Sequence, residues 1–187
     1  MNDKHLELCS SAEWAEAVER WIIPWVLDGI ELGDDVVEVG PGPGLTTDVL
    51  RGRIEKLTAV EVDPVLAQRL ESRLEGTNVD VVCADATAVA LDPDRFSAAT
   101  CFSMLHHMPS AEHQDRLFEV VHRVLRPGGI FLGVDSLDLD FIRDGHVDDT
   151  FVPIDLETFG DRLQQAGLDL TTIDIGDYQF RFVATKR

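Results

Sequence analysis

The string Val36-Val37-Glu38-Val39-Gly40-Pro41-Gly42-Pro43-Gly44-Leu45-Thr46-Thr47 restricts the fold more than any other part of the chain. An apolar β-type run enters three glycines spaced by two and leaves into a helix-like segment. Missing side chains let a backbone turn sharply and let a ligand come close, while the free N–H groups of the next helix face it. One structural glycine would explain a turn; three in this register indicate a ligand loop. The spacing departs from the GxGxxG of dinucleotide enzymes, because Gly44 comes one place early and Thr47 stands where the last glycine, counted from Gly42, belongs.

Beyond Asp35 the chain alternates strand-like and helix-like runs. Strands are predicted at Val36–Val39, Leu57–Val60, Val79–Cys83, Ala98–Phe102 and Ile130–Val134. Helices are predicted at Val65–Leu74 and Ala111–Leu125. Short β-rich runs joined by crossover helices form a mainly parallel, doubly wound α/β sheet. A helix over Leu156–Ala166 then precedes two runs, Leu168–Ile175 and Gln179–Thr185, whose Gly176-Asp177-Tyr178 connection is too short for a parallel crossover. These last strands are expected to pair antiparallel. The stretch from 136 to 153 has no firm period, and loops of that length are usually functional or disordered.

Ahead of the sheet, residues 1–30 read as a helical cap with its main helix from about Ala12 to Leu27. Ser10 and Glu13 suit a capping box, Ala17, Val18, Trp21, Ile22, Trp25 and Val26 form an apolar stripe, and Pro24 bends or splits the helix. Packing on the sheet and roofing a ligand pocket are both open roles for it, as is a homodimer contact through its exposed flank.

The 187 residues suit one domain with a substantial core. The three cysteines, Cys9, Cys83 and Cys101, have no metal-type spacing, and with no secretory or long apolar segment the expectation is a reduced, cytoplasmic protein without a membrane span. With 35 acidic and 16 basic residues the formal charge is -19, a field that repels phosphate backbones and sets nucleic acid aside as an expected partner. Lysine occurs only at Lys4, Lys56 and Lys186. That balance fits a salt-rich cell or simple compositional drift.

A second acid signal lies at Glu61, about 20 residues beyond Gly40, where a carboxylate at the end of the second strand can accept from ribose hydroxyls. Asp63 is a rival for the same role. With the runs Val82-Cys83-Ala84-Asp85-Ala86, Phe102-Ser103-Met104-Leu105-His106-His107-Met108 and Leu125-Arg126-Pro127-Gly128-Gly129, the chain from Val36 to Arg187 resembles the class I S-adenosylmethionine-dependent methyltransferases, particularly the methyltransferase type 11 group. The resemblance implies a Rossmann-like seven-stranded sheet in the order 3-2-1-4-5-7-6 with strand 7 antiparallel, and S-adenosylmethionine as cofactor. It implies that Gly40, Gly42 and Gly44 pass beside the methionine part, that Glu38 orients that end, and that Glu61 holds the ribose. Asp85 would accept from the adenine amino group, with the Ala86 N–H on a ring nitrogen and Phe102 at the end of strand four beside the ligand. The alternative for Asp85 is a cap on the following turn, with adenine the favoured role. Arg126–Gly129 is expected to be a tight turn feeding strand five.

The methyl acceptor is expected to be a small molecule. Asn-Pro-Pro-Tyr and Asp-Pro-Pro-Tyr, which the resemblance associates with amino-methylation of bases or glutamine, do not follow strand four. His107 and His106 are the candidate bases, with packing of the strand-four loop as the alternative role. Trp14, Met104, Asp135, His146 and Tyr178 are candidate acceptor contacts, the loop 136–153 forming one wall. No metal centre is expected: His146, Asp148 and Asp149 are read as a solvated loop. A binding protein that keeps the cofactor pocket without turnover is the non-catalytic alternative.

Overall fold

A computed structural model describes residues 3–187. Seven strands form one sheet: β1 (Asp35–Val39), β2 (Lys56–Glu61), β3 (Val79–Cys83), β4 (Phe96–Phe102), β5 (Leu125–Ser136), β6 (Leu168–Ile175) and β7 (Gln179–Lys186). Their order is β3-β2-β1-β4-β5-β7-β6, as the resemblance implies. β1 to β5 pair in parallel, whereas β7 lies antiparallel to both β5 and β6. The central β4 is buried along its whole length, as a parallel strand with both faces covered is.

Two helical layers cover the sheet. On one face α6 (Ala111–Val124) and α8 (Leu156–Gln165) bury Leu117, Phe118, Val121, Phe159 and Leu163 against Phe131 and Phe182. On the other, Leu50 of α4 (Leu45–Leu50) and Leu70 and Leu74 of α5 (Pro64–Leu74) join the N-terminal helices over Val36, Leu57 and Leu132. Alternation along β1 sends Val36 to one layer and Val37 to the other, the period-two rule of strands.

The N-terminal cap is segmented: α1 (Asp3–Cys9), α2 (Ala12–Ala17), a π turn (Val18–Ile22) and α3 (Ile23–Val26). Ser11, not Ser10, caps α2 by accepting the Trp14 N–H at 3.1 Å, while the Ser10 hydroxyl donates back to Leu6 O at 2.7 Å. Pro24 therefore ends a regular helix by enforcing a wider turn, in which Ile23 N–H reaches Val18 O. Arg126–Gly129 is a second departure from expectation. These residues lie inside β5 as an irregularity, because Phe96 pairs with Leu125 and Ala98 with Ile130. The connection from 136 to 153 contains the short helix α7 (Asp140–Gly145). Among the described residues no helix is long and apolar enough to cross a membrane.

Candidate functional site

The parallel strands deliver their carboxyl ends to one edge, where the three glycines leave β1. Gly40, Gly42 and Gly44 all have positive φ, +67°, +55° and +87°. This is the left-handed region that costs other residues roughly 1–2 kcal/mol. The three differ in what surrounds them. A Cβ on Gly40 would strike Met104, and one on Gly44 would strike Leu70 and Arg73, whereas one on Gly42 would enter open space. Two glycines thus close the loop onto the protein, and the middle one leaves the space beside its backbone open.

Glu61 fixes that presentation. Its Oε2 accepts the Gly42 N–H at 2.9 Å and its Oε1 accepts the Asp63 N–H at 2.8 Å, with the residue only 5% exposed. Each carboxylate oxygen keeps a second acceptor position for a ligand hydroxyl. Asp63 is occupied elsewhere, capping α5 by accepting the N–H groups of Val65 and Leu66. Arg73 closes the other side of the loop, donating to Pro43 O at 3.1 Å and pairing with Asp48. No local pattern announces Arg73, because its partners lie far away in sequence.

Beneath the loop, Glu38 is wholly buried and accepts hydroxyl donors from Thr46 and Thr47 of α4. Burial raises its pKa to about 7, against the lowering effect of those two hydroxyls. At the end of β3, Asp85 is exposed and one of its oxygens accepts both the N–H and the hydroxyl of Thr87 at 2.8 Å, so its turn-capping role is present. Ala86 is half-buried beside it, and Phe102 packs into the layer that contains Val134.

β4 leads through Ser103, at φ +49°, into a 3-10 turn over Leu105–His107. Asp135, expected to meet the acceptor, is instead completely buried. Its Oδ1 lies 2.5 Å from His106 Nδ1 and its Oδ2 accepts the Leu105 N–H at 2.8 Å. It orients the histidine from inside the protein, out of a substrate's reach. His106 is itself only 1% exposed. His107 Nδ1 lies 3.2 Å from Thr150 O, and His146 Nδ1 lies 2.7 Å from Ile142 O.

The three imidazoles converge. Ring centroids are 4.2 Å apart for His106 and His107, 5.1 Å for His106 and His146, and 5.3 Å for His107 and His146. Asp148 is exposed, but the Asp149 side chain is buried 4.0 Å from His107 Nδ1, so the expectation of a solvated loop fails at both His146 and Asp149. Backbone forces this packing: Val152 N–H donates to His106 O at 2.7 Å. Gln114, fully buried and missed by sequence reasoning, donates to Leu105 O at 3.0 Å and Val152 O at 2.9 Å while accepting from Arg162. The second half of the long connection is therefore fastened to the strand-four turn.

Of the remaining candidates, Met104 is half-buried against the Gly40 face. Trp14 packs with the N-terminal helical layer, and Tyr178 is 61% exposed, edge-on to Phe141 at 5.5 Å. The site thus gathers the glycine loop, Glu38, Glu61, Met104 and the histidines at one sheet edge.

Residues 37–133 match the family described as methyltransferase domain. The chain belongs to this family. Over 111 residues it is 29% identical to a ubiquinone biosynthesis O-methyltransferase of Azotobacter vinelandii, covering 57% of this chain and 47% of that one. An rRNA adenine N-6-methyltransferase of Saccharopolyspora erythraea is 38% identical over 82 residues, covering 42% of this chain and 22% of the relative. The matched segments thus span less than half of these relatives. In fold, a SAM-dependent methyltransferase from Aquifex aeolicus superposes over 100% of both chains with a TM-score of 0.77 at 17% identity.

The second relative overturns the expectation that charge sets nucleic acid aside. A chain whose name states an RNA substrate shares this methyltransferase core, and a protein's average field does not decide what one cleft or an added segment meets. S-adenosylmethionine, the cofactor of this family and fold, fits the residues present. Gly42 leaves open the space its Cβ would fill, and Glu61 stands beside it with unused acceptor positions.

Proposed function

We propose that the protein transfers the methyl group of S-adenosylmethionine to a small-molecule acceptor seated between the N-terminal helices and the 136–153 connection. The observation that carries the reading is the open face of Gly42 beside the buried Glu61 carboxylate. In this assignment Glu61 accepts from the ribose hydroxyls, while Asp63 remains a helix cap. Asp85 and the Ala86 N–H meet the adenine, and Gly40, Gly42 and Gly44 line the methionine part. Glu38, below the loop, orients the amino-acid end through Thr46 and Thr47.

The cofactor's sulfonium supplies an electrophilic methyl group, so the protein needs no covalent nucleophile. The chain's own work is alignment and exclusion of water. Met104 and the fastened connection supply apolar walls. His106, held by Asp135, and the neighbouring His107 fix the strand-four turn beside the acceptor's proposed seat, so this turn contributes positioning. The O-methyltransferase named for ubiquinone biosynthesis supports an oxygen atom on a small molecule as acceptor.

The test is calorimetric titration with S-adenosylmethionine, S-adenosylhomocysteine and NAD in parallel, followed by a radiolabelled methyl screen of phenols, amines and a ribosomal RNA fragment. Binding of the adenosyl ligands but not NAD, with label entering a small molecule, is expected. Absence of adenosyl binding in folded protein overturns the whole reading, and label entering only RNA overturns the acceptor class.

A further inference from the structure

The turn after β4 and the connection after β5 bring three histidines together from distant parts of the sequence. One ring nitrogen from each of His106, His107 and His146 lies within 4.8 Å of the other two. Their Nε2 atoms are shielded from solvent, and His106 Nε2 has no hydrogen-bond partner among the described residues. We propose that His106, His107 and His146 bind a divalent transition metal of the zinc type through their Nε2 atoms.

Tautomers carry the argument. The Nδ1 atoms of these rings face the Asp135 carboxylate, Thr150 O and Ile142 O, groups that only accept hydrogen bonds. Nδ1 therefore carries the proton in each neutral ring, and Nε2 is left as an electron-pair donor. A carboxylate or a backbone carbonyl behind each imidazole is the arrangement that orients metal-bound histidines and raises their basicity. Packing of three rings alone would not require a wholly buried aspartate at hydrogen-bonding distance from one of them.

The spacing is within reach of coordination. Two nitrogens about 2.1 Å from a tetrahedral ion stand about 3.4 Å apart, so from separations within 4.8 Å the ring nitrogens need to move by about an ångström to close the set. Neutral nitrogen donors favour zinc, cobalt, nickel or copper over magnesium or calcium, which need oxygen ligands. Three protein ligands leave a fourth position for water or an acceptor oxygen, the pattern of reactive rather than structural metal centres. Only that last role rests on the methyl-transfer reading; the site itself does not. The ion would also join the 136–153 connection to the strand-four turn at a point already fastened by Val152 and Gln114.

The experiment is titration of chelator-treated protein with cobalt chloride, followed by visible absorption, with zinc chloride in competition. His107→Gln and His146→Gln are measured beside the native chain, each checked for folding by circular dichroism, and S-adenosylhomocysteine binding is measured on the same samples. One cobalt per chain with the intense colour of a four-coordinate centre is expected, displaced by zinc and weakened tenfold or more in each variant. Only the faint colour of oxygen-ligated cobalt, or equal affinity in the variants, would assign the ion to the acidic surface and overturn the proposal. Adenosyl binding without the cobalt centre removes the metal site alone, whereas a cobalt centre in folded protein without adenosyl binding removes the methyl-transfer reading and leaves the metal site standing.

Discussion

Glu61 Oε2 accepts the backbone N–H of Gly42 at 2.9 Å, so the acid at the end of β2 holds the loop that leaves β1. One carboxylate shapes the cleft and also offers acceptor positions to a ligand. Glu61→Ala removes both contributions and strands the buried Gly42 N–H together with the part-buried Asp63 N–H. Adenosyl-ligand affinity is expected to fall by about 1–3 kcal/mol. Thermal unfolding should shift downward as well. Unchanged calorimetric affinity would show that the ribose lies elsewhere.

At Gly42 the two effects separate. A Cβ there meets no protein atom within 4 Å beyond its chain neighbours, so the main cost of a side chain to the free protein is the left-handed backbone, about 1–2 kcal/mol. A valine side chain would stand in the ligand's path. Gly42→Val is therefore expected to abolish measurable adenosyl binding while the protein still unfolds cooperatively. Denaturant titration and calorimetry on one preparation distinguish this outcome from general collapse.

Glu38 introduces a pH dependence whose sign follows from its environment. Its pKa is raised from 4.5 to about 7, so between those limits the folded chain holds a proton that the unfolded chain has lost. Stability from this group falls as pH rises from about 4.5 to about 7, by roughly 3 kcal/mol, and changes little above. Glu38→Gln should flatten this part of the profile. The measurement is the difference between native and variant unfolding free energies at pH 5 and pH 8; a constant difference would mean that Glu38 does not titrate in this window.

How much of this was legible in the sequence depends on the range of the interaction. β3 and β6 have their expected limits and β1 starts one residue early, because apolar alternation and the crossover rhythm are local signals. Glu61 and the glycines were legible for the same reason. The cap moved from Ser10 to Ser11 because two adjacent serines offer the same chemistry and only backbone geometry chooses between them. The 125–130 irregularity was hidden because a Pro-Gly-Gly string writes a turn whether or not its neighbours pair. The histidine cluster was invisible: His146 lies in an aperiodic stretch, and its meeting with His106 and His107 depends on Val152 and Gln114, residues with no motif of their own.

The Gln114 amide joins α6 to the strand-four turn and to the connection at once. Its Nε2 donates to Leu105 O and Val152 O, and its Oε1 accepts from Arg162. Gln114→Leu preserves bulk but leaves those carbonyls without this donor, at a cost of about 1–3 kcal/mol. The loss is not expected to spread evenly. β1 and β2 keep their contacts, so adenosyl affinity should change little, while amide exchange across 146–153 should accelerate because the segment has lost its side-chain fastening. Exchange rising equally in the glycine loop would instead mean that Gln114 supports the whole sheet edge, and the two halves of the site would then have to be treated as a single cooperative unit.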